Sequence, residues 1–250
     1  MQNSDSINIS AVSYANTFPF LYGLEHKLSS SSINISLDVP SVCAQKLSEG
    51  SVDIGLIPIA KLNEIPNGRI ISDYCIGAVG AVKTVLLMSR VPLDAIKEVY
   101  LDSESRTSVN LVKVLAKHYW KKEWQWHEAP KSFPKPDLHQ SIVLIGDKTS
   151  NYRKDYPYIY DLAEVWFEFT AKPFVFAAWV ANRELPTSFL NDFNNALSFG
   201  LHNISAALDV YAQTSQREEL ENYLTNYISY NLDKSKKEGM ELFLNYLELL

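Results

Sequence analysis

With 250 residues, of which 46% are hydrophobic, 12% aromatic and 21% charged, the chain is globular in composition and can bury a real core as one large domain or as two lobes. A formal charge of -6 argues against nucleic acid as a partner, because neutralising phosphates needs a concentrated basic surface. No apolar run approaches the roughly 20 residues that cross a bilayer, and the N-terminus has neither a basic start nor an apolar signal core, so a cytoplasmic protein without a membrane partner is expected.

The first third alternates strand-like and helix-like segments. Ile7 to Ser13 reads as a strand, Phe18 to Lys27 as a helix with Pro19 in its first turn, and Ile33 to Val39 as a second strand. Ser41 to Glu49 follows as a helix capped by Ser41 and ended by Gly50, then Asp53 to Pro58 as a strand. Such alternation predicts parallel pairing. Cys43 and Cys75 lie in apolar surroundings and are too few for a disulfide framework or a thiolate zinc site, which makes them buried, reduced packing residues.

Ile70 to Val79 reads as a further strand, and Val82 to Ser89 as an apolar run buried on both faces. Gly77 and Gly80 between them fit a close approach of strands better than a phosphate loop. A second α/β unit begins near Pro92, with strands Glu98 to Leu101 and Ser141 to Ile145 around an amphipathic helix, Ser108 to Trp120. The proline-rich segment from Ala129 to Asp137 is loop chemistry. Pro173 to Trp179 reads as a strand returning to the first lobe, and Pro186 to Leu250 as almost wholly helical. The predicted architecture is α/β and two-lobed, of the binding-protein kind, with a cleft between the lobes. Residues 1–85 with 176–250 form one lobe, carrying the helical C-terminal segment, and 86–175 form the other.

The first strand runs into a polar turn, Ser13-Tyr14-Ala15-Asn16-Thr17, before any charged side chain follows. Such a turn offers N–H groups, hydroxyls and a carboxamide at the carboxyl end of a strand, where open α/β sheets bind small ligands; polar turn formers alone give the same pattern. The segment Asp102 to Ser108, DSESRTS, lies between a strand and a helix, so its hydroxyls and the first free N–H groups of the helix suit a carboxylate. Plain capping by Thr107 or Ser108, with Arg106 as a solvated charge, reads equally well. The five histidines are scattered, and HExxH, CxxC and GxSxG are absent, which speaks against metal-dependent and triad hydrolysis. The aromatic groups around Trp120, Trp124, Trp126 and Tyr152, Tyr156, Tyr158, Tyr160 read as packing rather than base stacking.

Taken together, SYANTFPFLYGLE (Ser13 to Glu25), LSEGSVDIGLIPI (Leu47 to Ile59), GAVKTVLLMSRVPLDAIKEVYLDSESRTS (Gly80 to Ser108), LIGD (Leu144 to Asp147), YDLAEVW (Tyr160 to Trp166) and PFVFAAW (Pro173 to Trp179) resemble the MqnA family. That resemblance covers most of the chain in order. It implies a fold like the type 2 periplasmic binding proteins and a chorismate dehydratase of the futalosine route to menaquinone, working without a metal or organic cofactor. It implies catalytic contacts from Asn16 and from Thr84, where relatives commonly carry serine, and substrate contacts from Ser13, Thr17, Arg106, Thr107, Ser108 and Asp147. LIGD departs from the family in being followed by Lys148 rather than a small residue. The implied small-molecule partner is chorismate, whose C3 proton is vinylogously acidic and whose loss of the C4 hydroxyl yields an aromatic ring, so a strong protein base is not obligatory. Two rivals differ in kind: a cytoplasmic small-carboxylate binding protein or sensor, and a later menaquinone-pathway cyclase. SYANTFPF does not match the cyclase, which has a different proline-containing turn after its first strand.

Overall fold

In the computed structural model, residues 6–29, 32–102, 106–129, 141–146 and 148–250 are described. In chain order the elements are β1 (Ile7–Val12), α1 (Phe18–Lys27), β2 (Ile33–Asp38), α2 (Pro40–Ser48), β3 (Ile54–Pro58), β4 (Arg69–Ala78), β5 (Val85–Ser89), β6 (Glu98–Leu101), α3 (Arg106–Val114) and β7 (Gln125–Glu128). There follow β8 (Ser141–Ile145), α4 (Thr149–Tyr152), β9 (Tyr158–Asp161), α5 (Leu162–Thr170), β10 (Phe174–Ala181), α6 (Thr187–Leu201), α7 (Ile204–Tyr211), α8 (Arg217–Asn226), β11 (Ser229–Asn231) and α9 (Lys234–Glu248).

Local chemistry accounts for most boundaries. Pro19 sits in the first turn of α1, where its missing N–H costs nothing. Helix α2 starts on Pro40 with Val39 as its cap, so Ser41 lies inside the helix and is not the capping residue the sequence suggested; the preset φ of proline takes over the start. The run from Val82 to Ser89 becomes strand only from Val85, because Lys83 adopts a left-handed φ of 69°. Gly80 also has a positive φ, 76°, with nothing within 4 Å of a Cβ built on it, so it serves a turn and not the expected close approach of strands. Helix α3 starts two residues before the predicted Ser108 and passes at Leu115–Trp120 into a widened π-type turn that ends on left-handed Lys121. Strands β7 and β9, helix α5 and the short β11 were not anticipated. Most of the proline-rich stretch predicted as loop, from Pro130 to Asp137, lies outside the described residues.

The chain divides into two compact units, 1–77 with 175–233 and 78–174 with 234–250. The first holds a six-stranded sheet of order β11-β4-β10-β3-β1-β2. Strand β1 pairs in parallel with β2 and β3, as the alternation predicts, and β10 returns antiparallel to β3. Every residue of β3 is buried, as in a strand covered on both faces. Trp179 of β10 anchors this core, with Phe20 and Phe193 edge-on at 5.8 and 5.2 Å.

Helices α1 and α6 cross in near-backbone contact. A Cβ on Gly23 would stand 1.9 Å from the Ala196 carbonyl oxygen, and one on Gly200 would stand 1.7 Å from that of Pro19. Only hydrogen fits at either point, so the pair sets the distance between the helices. Gly200→Ala is expected to cost about 2 kcal/mol through forced separation of the helices, despite the gain in helix propensity. Urea titration checks this, and an unchanged midpoint would mean that the crossing can open freely.

The second unit holds a five-stranded sheet of order β7-β6-β8-β5-β9. Strands β7 and β8 run parallel to β6, while β5 lies antiparallel to both β8 and β9. Leu86, Met88, Ile142, Leu144 and Tyr156 form one face of its core. The final helix α9 belongs to this unit, where the sequence reading had put the tail with the first. Phe243 packs edge-on against Trp166 and Phe174 at 6.0 and 5.0 Å, and Gly239 lets α9 approach the Pro173 backbone. The chain therefore passes between the units at three points, 77/78, 174/175 and 233/234.

Candidate functional site

In the first unit the candidate residues gather at the carboxyl ends of the parallel strands β1 and β2. The Ser13 N–H donates to the Asp38 carbonyl oxygen (2.9 Å), which continues the β1–β2 ladder into the turn. The Thr17 N–H then donates to the Tyr14 carbonyl oxygen (2.9 Å), closing one turn of 3-10 helix over Ala15–Thr17. Ser13 is exposed, Asn16 half-buried and Thr17 fully buried. Thr17 thus supports the turn from below, its hydroxyl 3.4 Å from the Asn16 amide oxygen, while Ser13 and Asn16 remain available to solvent.

A residue that sequence reading missed ties this turn down. The phenol of Tyr230, on β11, donates to the Asn16 carbonyl oxygen (3.1 Å). Burial holds that phenol well above its ordinary pKa, so it stays a donor. Nothing local could have revealed the contact, because it spans 214 residues of sequence.

Beneath the turn lies a charged anchor. Asp38 accepts from the Ser10 and Ser36 hydroxyls, both at 2.8 Å, and pairs with Lys46 at 2.6 Å. Burial works to raise the Asp38 pKa, yet these bonds together hold it below the ordinary 3.8. The folded state therefore releases this proton more readily than the unfolded chain. Its contribution to stability is present above the unfolded pKa and disappears as pH falls through the lower folded value. Asp38→Asn is expected to reduce stability at pH 7 and to flatten the acid limb of a stability profile; equal acid limbs in both proteins would show the carboxylate uninvolved. Nearby Cys43 is buried with its thiol pushed up to about 11, an inert packing group as the sequence suggested.

In the second unit, three candidate segments meet at one end of the sheet. Strands β6 and β8 are parallel and end there, and β5 begins there because it runs antiparallel to β8. The Gly146 N–H donates to the Thr84 carbonyl oxygen (2.8 Å), placing half-buried Thr84 opposite the end of β8. Asp102, at the end of β6, is buried and accepts from the Ile145 N–H (3.4 Å). Arg106 is the first residue of α3 and is exposed, which fits its reading as a solvated charge. Thr107 and Ser108 lie in the first helical turn, each 2% exposed, rather than at the cap. Asp147 lies outside the described residues.

Asp161 positions the Thr84 turn and was not singled out from the sequence. One carboxylate oxygen accepts from the backbone N–H groups of Val82 (3.0 Å) and Lys83 (2.6 Å). The other caps α5 through Ala163 (3.1 Å) and Glu164 (3.3 Å). Burial raises its pKa against the pull of these donors. The capping half was legible as Asp161 followed three residues later by Glu164. Among the described residues, no three His, Cys, Asp or Glu side chains gather to hold a metal ion, and no helix is long and apolar enough to cross a membrane.

A family model described as menaquinone biosynthesis matches residues 7–249. The chain belongs to this family. A relative named chorismate dehydratase, from Thermus thermophilus, is 25% identical over 258 residues, spanning 94% of this chain and 93% of the relative. Solved structures agree on the fold. A structural-genomics protein of Archaeoglobus fulgidus superimposes with a TM-score of 0.78 at 14% identity, over 100% of this chain and 98% of its own. A Candida albicans protein described as having the generic periplasmic binding protein fold gives 0.65 at 12% identity, over 98% and 90%. The periplasmic aliphatic sulphonate binding protein of Escherichia coli gives 0.64 at 13%, over 98% and 91%. The α/β binding-protein-like fold expected from the sequence is the fold of this family member.

Proposed function

We propose that this protein is a chorismate dehydratase, a carbon–oxygen lyase that converts chorismate to 3-[(1-carboxyvinyl)oxy]benzoate and water in the futalosine route to menaquinone. The observation that carries the reading is similarity over nearly the whole chain to a relative of that name, inside a menaquinone-biosynthesis family. The polar strand ends described above support it, since exposed Ser13 and half-buried Asn16 and Thr84 are neutral groups of the kind a carboxylate-bearing substrate needs.

In this reading the C3–H bond of chorismate breaks, its electrons form the new ring double bond, and the C4 hydroxyl leaves as water. The substrate's own enolpyruvyl carboxylate takes the proton from C3 and hands it to the departing C4 hydroxyl, and the protein positions the dianion and stabilises charge on the ring carboxylate. Asn16 and Thr84 orient the side chain or the departing hydroxyl. Thr107 and Ser108, in the first turn of α3 at the positive end of its dipole, hold a carboxylate, where neutral dipoles suffice in a protein of net charge -6. Ser13, Arg106 and Asp147 are proposed as outer contacts, and buried Thr17 acts through Asn16.

Purified protein with chorismate is expected to yield an aromatic product lighter than the substrate by one water, measured by chromatography and mass spectrometry against an enzyme-free control. Tight binding with chorismate recovered unchanged would instead make it a binding protein or sensor.

A further inference from the structure

At the end of the second unit's sheet, four positions before the first residue of α3, a carboxylate is buried. Asp102 is 5% exposed, and its Oδ2 accepts from the Ile145 N–H. A buried negative charge at this point repels any carboxylate brought to the start of α3, and low-dielectric surroundings strengthen the repulsion. The Lys148 ammonium stands 2.6 Å from the same Oδ2, with about a third of its side chain exposed. Lys148 enters from the turn that follows β8, so the pair links the ends of β6 and β8.

We propose that Lys148 is a charge-balancing positioning residue. By pairing with Asp102 it turns an anion-repelling strand end into one that accepts a substrate carboxylate at the first turn of α3. The inference deepens the dehydratase reading and rests on its assignment of a carboxylate to that helix start. Lys148 acts through Asp102 and does not touch the reacting atoms. The positive charge is needed only because Asp102 is charged, so removing both charges restores the balance.

The test compares the unaltered protein with Lys148→Met, Lys148→Arg, Asp102→Asn and the Asp102→Asn/Lys148→Met double variant. KM and kcat are measured with chorismate, Kd for chorismate by calorimetry, and the melting temperature of each variant is recorded. Lys148→Met is expected to raise KM and Kd about tenfold or more while kcat changes by less than about threefold, because the cation paired with Asp102 is lost. Lys148→Arg keeps the charge and is expected to stay within about threefold of the unaltered Kd, as is the double variant. A merely structural pair would lower the melting temperature without this ranking in Kd.

An unchanged KM and Kd in Lys148→Met overturns the proposal. So does a double variant as weak as Lys148→Met alone, which would make Lys148 a direct ligand contact. If Lys148→Met does not fold, Lys148→Gln, which also removes the charge, takes its place in the ranking. Absence of turnover by the unaltered protein overturns the dehydratase reading but leaves the Kd ranking to decide the pair; absence of both turnover and binding overturns both.

Discussion

Asn16→Ala is expected to lower kcat for chorismate dehydration by about a hundredfold or more, while the melting temperature moves by less than about 2 °C. The size of the effect follows from what the carboxamide does in the proposed reaction. A neutral donor and acceptor aimed at charge that shifts during elimination is missed most in the transition state, so kcat suffers more than KM. The small effect on stability follows from the structure of the turn. Its backbone is held by the Thr17 N–H on Tyr14, the Ser13 N–H on Asp38, and the Tyr230 phenol on the Asn16 carbonyl oxygen, and none of these uses the Asn16 side chain. Steady-state kinetics with a thermal melt checks both halves. Near-normal kcat would remove Asn16 from the mechanism, and a collapsed melting temperature would make it a structural residue.

Asp161→Ala is expected to destabilise the second unit by about 3 kcal/mol, because four backbone N–H groups lose one buried acceptor. Water can reach some of them after truncation, which keeps the figure below the sum of four separate penalties. Asp161→Asn is expected to lose about 2 kcal/mol, since the amide retains one accepting oxygen but turns an NH₂ toward donors. Activity falls in both variants through the turn that carries Thr84, so the loss of activity in Thr84→Ala/Asp161→Asn should be smaller than the product of the single losses. Urea unfolding followed by tryptophan fluorescence is the direct measurement, because Trp120, Trp124, Trp126 and Trp166 report the second unit and Trp179 the first. A loss below about 0.5 kcal/mol would mean the carboxylate is replaced by solvent at no cost.

Much of this architecture was readable as sequence, for local reasons. Helix α1 has its predicted limits because Pro19 and the apolar spacing after it act within a turn or two. Strands β6 and β8 also have their predicted limits, since short apolar runs bounded by turn residues have few alternatives. Helix α3 shifted because its start lies in a polar segment with no apolar period to mark it. Strand β9 was obscured because YIYD has one charged and two aromatic residues in four, which suits an edge or a loop equally.

What the sequence determined by itself is the alternating α/β order, the polar turn after β1 and the polar entry to α3, because each depends on neighbours within a few residues. Tertiary structure alone decided where α9 packs, since its apolar stripe demands a covering surface without naming one; Trp166 and Phe174 supply it. The same holds for the bonds that position the candidate groups. Tyr230 reaches Asn16 across 214 residues, and Asp161 reaches Val82 and Lys83 across 79 and 78. A buried polar group must find a partner, but only the folded path of the chain determines which one it meets.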